Sequence, residues 1–138
     1  MTGDLDTFDF QGWLDTVTGF FMDDDFGSFA DTVALPAIVT TAEGASVLST
    51  IEDLRGRFDF WMHFMKAQQA TDMIRTARSY DRIGSEVCRG KYETELLRGG
   101  TRIIKPFTSE VILRRQDGVW RTTFVEHLLT KQFWKMSS

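Results

Sequence analysis

Between Ile51 and Leu128 the hydrophobic period of this chain changes once, and that change restricts the fold more than any other feature. From Ile51 to Met65 the apolar residues Ile51, Leu54, Phe58, Trp61, Met62 and Met65 recur every three or four positions, the spacing of one helical face. From about Thr71 to Leu128 apolar and polar residues alternate, with breaks at Gly84, at Gly99-Gly100 and at Asp117-Gly118. An amphipathic helix must bury its apolar stripe, and alternating strands offer one apolar face to receive it. The expectation is a long helix lying on a curled antiparallel sheet, an arrangement that usually encloses a pocket and leaves its occupant open.

The first fifty residues add smaller elements. Residues 7–22 read as a helix with Thr7 as N-cap and Phe10, Trp13, Leu14, Val17 and Phe21 on one face. A second short helix begins in Asp23-Asp24-Asp25, whose carboxylates favour the positive end of a helix rather than one shared ion. Leu35 to Thr41 reads as a strand in which Pro36 marks the first residue or a sheet edge, and residues 46–48 return beside it after Gly44. Ser49-x-x-Glu52 is a capping box for the long helix, with Thr50 as the alternative cap, and the helix should run to about Gln69. Four strands follow at about 72–80, 85–98, 101–115 and 119–128, the second and third joined by Gly99-Gly100. With no linker or repeat, residues 1–138 read as a single α+β domain in which N-terminal helices and one long helix pack on a curved, mostly antiparallel sheet.

Composition excludes several functions. The net charge of −4 argues against nucleic acid as the main partner. Cys88 is the only cysteine, so neither an internal disulfide nor a Cys-rich zinc site can form. The two histidines lack metal-ligand spacing, and no metal or cofactor is expected. The acidic N-terminus does not resemble a signal peptide, and no stretch is long and apolar enough to cross a bilayer, so the expected location is cytoplasmic without membrane contact. Twelve Phe and four Trp supply rings that line small-molecule cavities as readily as they fill cores.

Strand parity selects the candidate site. On 85–98, Val87, Arg89, Lys91, Glu93 and Glu95 form a charged face, so Cys88, Gly90, Tyr92, Thr94 and Leu96 face the helix, and Glu86 turns inward with them. On 107–115 the inward set is Phe107, Ser109, Val111 and Leu113. On the last strand the aromatic set Trp120, Thr122, Phe124 and Glu126 is taken as inward. Strand 72–80 carries Arg75 and Arg78 and has no orientation by this rule. A carboxylate in an apolar cavity has its pKa raised by desolvation, which suits a general base, so Glu86 and Glu126 are the candidate bases. Either could instead be paired with an arginine or sit in water. Tyr92 is the candidate hydrogen-bond donor, while Phe58, Trp61, Met65, Cys88, Phe107, Trp120 and Phe124 are expected to line the pocket. His63 falls on the back of the helix beside Phe60 and Phe64, a second apolar patch for the first two helices or a partner subunit to cover. Phe133 and Trp134 in the tail are expected to dock over the barrel or a second subunit.

The segments Leu35-Pro36-Ala37-Ile38-Val39 with Gly44, the helix from Asp53-Leu54-Arg55 to Phe64, and the hairpin Asp117-Gly118-Val119-Trp120-Arg121 together resemble the nuclear transport factor 2-like superfamily, specifically its SnoaL-like branch. The resemblance spans nearly the whole chain and implies a cone-shaped α+β barrel, commonly homodimeric, with an apolar cavity between helices and sheet. Its enzyme patterns do not transfer residue by residue. The first helix has no Tyr for a ketosteroid-isomerase-like oxyanion pair. The Arg-x-Asp of Arg57-Phe58-Asp59 lies on the helix rather than on a strand as in limonene-type epoxide hydrolases. Scytalone dehydratase-like sites need paired histidines, and one of the two here faces away. The resulting expectation is binding of a small, mainly apolar molecule, with isomerase, cyclase or dehydratase-type proton transfer as its enzymatic form. The alternative is a non-enzymatic dimerisation or interaction module whose barrel is filled by its own aromatics.

Overall fold

A computed structural model describes residues 8–128. Helix α1 (Phe10–Met22) and the short α2 (Phe26–Ala30) precede a hairpin of β1 (Val33–Thr41) and β2 (Gly44–Leu48), followed by the long helix α3 (Ile51–Ala67). Strands β3 (Asp72–Arg82), β4 (Val87–Arg98), the two-residue β5 (Thr101–Arg102), β6 (Phe107–Gln116) and β7 (Val119–His127) follow. The sheet runs β2-β1-β7-β6-β4-β3, with β5 beside β4. Among the described residues only β1 and β7 pair in parallel; the other pairs are antiparallel. The three helices pack on one face of this curved sheet, the α+β architecture expected from the periodicity.

Local chemistry explains the boundaries and corrects some of them. The cap of α1 is Asp9, whose carboxylate accepts from Gly12 N at 2.9 Å. Thr7, the expected cap, lies outside the described residues, as do Phe133 and Trp134 of the tail. Asp25 caps α2 by accepting from Ser28 N, and this hydrogen bonding holds its carboxyl below the usual range. For α3 the alternative cap is the real one: Thr50 Oγ1 accepts from Asp53 N, and Asp53 Oδ2 accepts from the backbone N–H of both Ser49 and Thr50. The box is therefore Thr50–Asp53, displaced by one residue from Ser49–Glu52.

Pro36 does not mark an edge, because β1 has β2 on one side and β7 on the other. It sits where the β1–β7 register shifts, between Val33↔Thr122 and Ile38↔Phe124, and before the β2 pairing begins at Ala37. Its missing N–H is not needed there. The expected strand 101–115 is broken: β5 ends at Arg102, Pro106 cannot donate to a ladder, and pairing resumes at Phe107. Strand β3, at the edge of the sheet, is shielded by α1. Gln11 Nε2 donates to Arg75 O, and Ala77 N donates to Gln11 Oε1, both at 2.7 Å, so one amide side chain satisfies two backbone groups of the edge.

The buried side chains form three clusters. Phe10, Leu14, Cys88, Tyr92, Val111 and Leu113 join α1 to the middle of the sheet. Trp61, Leu96, Ile104 and Phe107 join α3 to β4 and β6, and Val39, Leu48 and Leu54 join α3 to the β1–β2 hairpin. Phe58 is fully buried, with the rings of Phe21, Phe26 and Phe29 converging on it at 5.2–5.5 Å. No helix among the described residues is long and apolar enough to cross a membrane.

Candidate functional site

The three clusters meet without closing. Between them lies a cavity of about 110 Å³, walled by Val17, Phe21 and Phe29 from α1 and α2, Leu54, Phe58 and Trp61 from α3, and Val39, Phe107, Val111 and Val125 from the sheet. For scale, an engineered cavity of about 150 Å³ in another protein admits benzene. Leu48 and Arg57 line both this cavity and a shallow groove outside it, between β2 and α3.

Few polar groups reach the interior, and among the cavity-lining residues none is Asp or Glu. The charged or titratable members are Arg57, Arg75, Tyr92 and His127. Arg75 comes from β3, where pairing with Thr94 turns it inward while Thr76 and Ile74 pair with the outward Glu93 and Glu95. Its Nε donates to Thr18 Oγ1 at 2.9 Å, and its guanidinium lies 5.6 Å from the Phe21 ring centre and 5.2 Å from that of Tyr92. Its Nη2 is buried and has no hydrogen-bond partner among the described residues. Burial holds this guanidinium below its ordinary range, partly offset by the Tyr92 hydroxyl and by Asp15. Desolvation also lowers Arg57.

His127 ends β7 with its ring edge-on to Trp61 and Phe107. Its Nδ1 lies 2.8 Å from the hydroxyl of Ser109, which is 0 % exposed and directly across the ladder. Burial, and then the charges of Arg75 and Arg57, push His127 down to about 4, so the ring is neutral at pH 7. With Nδ1 held by Ser109, Nε2 is the nitrogen left for a ligand. Ser109 itself does not line the cavity, so the pair is an oriented imidazole and not a nucleophile with its base.

The structure places the expected site residues unevenly. Phe58, Trp61, Phe107 and Tyr92 line the cavity, Tyr92 with only 4 % of its surface exposed. Met65 and Cys88 are buried outside it, and burial pushes the Cys88 thiol up to about 11, leaving it inert. Trp120 packs instead against Phe8 and lies 5.5 Å from the Arg82 guanidinium. Glu86 is not inward. It precedes β4, is exposed, and forms a two-nitrogen ion pair with Arg115, which lowers its carboxyl below the usual range. The parity of β4 does not extend back to it because the strand begins at Val87.

Glu126 and Phe124 are corrected by a bulge. The β6–β7 register passes from Leu113↔Thr122 to Ile112↔Phe124, leaving Thr123 as an extra residue. Inward alternation therefore runs Trp120, Thr122, then Val125 and His127. Phe124 pairs with Ile112 and Glu126 with Glu110 on the outer face. Parity alone missed His127 for this reason. The doublets Thr122-Thr123 and Phe124-Val125, two polar then two apolar residues inside an alternating strand, carry the signal of the phase change. Arg75 was missed because both faces of β3 carry an arginine; only the ladder with β4 separates inward Arg75 from outward Arg78, which pairs with Glu93.

Comparison with solved structures finds the same arrangement repeatedly. An NTF-2 like protein of unknown function from Shewanella oneidensis superposes with a TM-score of 0.66 at 8% identity, covering 94% of this chain and 100% of that one. An NTF2-like protein with a cystatin-like fold from Novosphingobium aromaticivorans gives a TM-score of 0.65 at 9% identity, over 91% of this chain and 84% of that one. The chain has the nuclear transport factor 2-like fold. The protein Aln2 from a Streptomyces species shares the fold at a TM-score of 0.66 and 17% identity, over 85% of each chain. No family profile matches the sequence, and no curated protein does. At these identities the NTF2-like likeness concerns the path of the backbone and carries no residue's role.

Proposed function

We propose that this chain binds a small, mainly apolar organic molecule in the cavity between the helices and the concave face of the sheet, as a SnoaL-like member of the NTF2-like fold. The observation that carries this reading is the unfilled space of about 110 Å³ where the three core clusters meet. The chain has twelve Phe and four Trp with which to fill the cone, yet Phe21, Phe58, Trp61 and Phe107 stand around this space rather than in it. Binding is favoured over general-base chemistry because the cavity lining has no carboxylate, and a histidine near 4 is a weak proton acceptor at neutral pH. Tyr92 is retained in this reading as a hydrogen-bond donor to a ligand oxygen.

A second copy of the chain is the reading for the outer face. Ile38, 40 % exposed, Phe124 and Ile112 are register partners across β1, β7 and β6, forming an apolar row on the side away from the helices. Native mass spectrometry of the purified protein, compared with the same sample under denaturing conditions, tests both readings. A releasable extra mass of a small organic molecule is expected, on a particle of two chains. A particle that carries no such mass and takes up no added toluene would sink the cavity reading, and a single chain would sink the outer-face reading.

A further inference from the structure

We propose that the ligand of this cavity is an organic acid, a single-ring or short-chain carboxylate, whose oxygens are received by the Arg75 guanidinium and His127 Nε2–H. This rests on the cavity reading and names its chemistry. The cavity lining holds two arginines and one histidine and no acidic residue, in a chain whose net charge is −4. The interior is thus positive where the protein as a whole is negative. None of the four ion pairs among the described residues involves Arg75 or Arg57.

Arg75 shows what is missing. A guanidinium taken out of water is costly unless its N–H groups and its charge are matched. Here Thr18 accepts from Nε, the rings of Phe21 and Tyr92 lie close to the guanidinium, and the Tyr92 hydroxyl and Asp15 offset only part of the burial. Nη2 is buried with no acceptor among the described residues, and the Arg75 side chain lines the cavity. A carboxylate oxygen supplies both the acceptor and the opposite charge, and charge-assisted bonds of this type are among the stronger ones in proteins. His127 provides the second donor. When the Ser109 hydroxyl donates to Nδ1 across 2.8 Å, the neutral ring carries its proton on Nε2. Ser109 is then a positioning residue, and the fully buried hydroxyl has a defined task. The rest of the lining is mainly aliphatic and aromatic, which selects an apolar body behind the carboxylate. At about 110 Å³ that body is of single-ring size.

Calorimetric titration at pH 7 with benzoate, benzamide and toluene tests the assignment on the whole chain. Benzoate and benzamide share size and shape and differ in charge. Benzoate is expected to bind about tenfold or more tightly than benzamide, and Arg75→Met is expected to abolish that preference. Benzamide or toluene binding as tightly as benzoate would overturn the carboxylate assignment and leave the cavity reading standing. Binding of none of the three would remove the cavity reading and this inference with it. A benzoate preference that survives in Arg75→Met would overturn the role of Arg75. The wild-type comparison decides the ligand class even if the variant folds poorly.

Discussion

His127 is a residue whose protonation is coupled to folding. In the folded chain its ring takes up a proton only near pH 4, because burial and the charges of Arg75 and Arg57 oppose it; unfolded, it titrates near 6.5. Between those values the unfolded chain binds more protons, so this group's contribution is present above pH 6.5 and is lost as pH falls towards 4. From pH 7 to pH 5 the loss is on the order of 2 kcal/mol. Urea unfolding of the wild type and His127→Gln at both pH values should show the wild type losing more stability by about that amount. Equal losses would mean that the imidazole is hydrated in the folded state. Glu86 is lowered too, but from the surface. Its carboxyl is lowered by an exposed partnership with Arg115, a kind of pair that contributes little.

At the scale of elements, close approaches and bulges decide which faces meet. The middle of β4 and the start of α1 come together at Gly90, where a Cβ would overlap the ring of Phe10. Tyr80 faces Gly90 across the ladder, and its ring stacks with that of Phe10, so the Phe10 side chain is held on that side. Gly90→Ala should therefore destabilise by about 1–3 kcal/mol through overpacking, seen as a lower melting temperature. An unchanged melting temperature would show that α1 can shift outward at no cost. The turns belong to the same scale: Gly99 and Gly100 have positive φ, as do Asp117 and Gly118, which is why both hairpins were visible as residue types. The bulge at Thr123 is marked in the sequence only by the doublets Thr122-Thr123 and Phe124-Val125. It is a one-residue slip in a ladder, and it reverses the faces of Phe124, Val125, Glu126 and His127 together.

Across the whole molecule, α1, α2 and α3 are joined through one side chain. Phe58 of α3 touches Phe21 of α1 and both Phe26 and Phe29 of α2, and it also lines the cavity. Phe58→Ala should cost about 3–5 kcal/mol, read as a shift of the chemical denaturation midpoint. A loss below about 1 kcal/mol would mean that the helices hold the sheet independently of each other. The open space beside Phe58 is a property of this scale alone. Each cluster is closed on its own terms, and the cavity is what remains when α1, α3 and the β1–β2 hairpin are set at distances fixed by backbone paths.

Periodicity, capping residues and turn glycines are local, so the helices, the strand order in the chain and the inward face of β4 could be read from the sequence: Cys88, Gly90, Tyr92, Thr94 and Leu96 are all buried. The same local rules placed Phe58, Trp61 and Tyr92 towards the interior. They failed where a side chain's position depends on a neighbouring strand. Arg75 faces in because of its pairing with Thr94, and His127 faces in because Thr123 bulges against Ile112 and Leu113. Alternation has a period of two and no memory of an inserted residue, so the doublets mark a change of phase but not which residue slips until the partner strand is in place. What the chain's own sequence determined was the set of elements and the apolar character of the interior. Which charged groups that interior contains was decided only by tertiary pairing, because one bulge put His127 inward in place of Glu126 and one ladder turned Arg75 inward, while Glu86 lies before its strand begins.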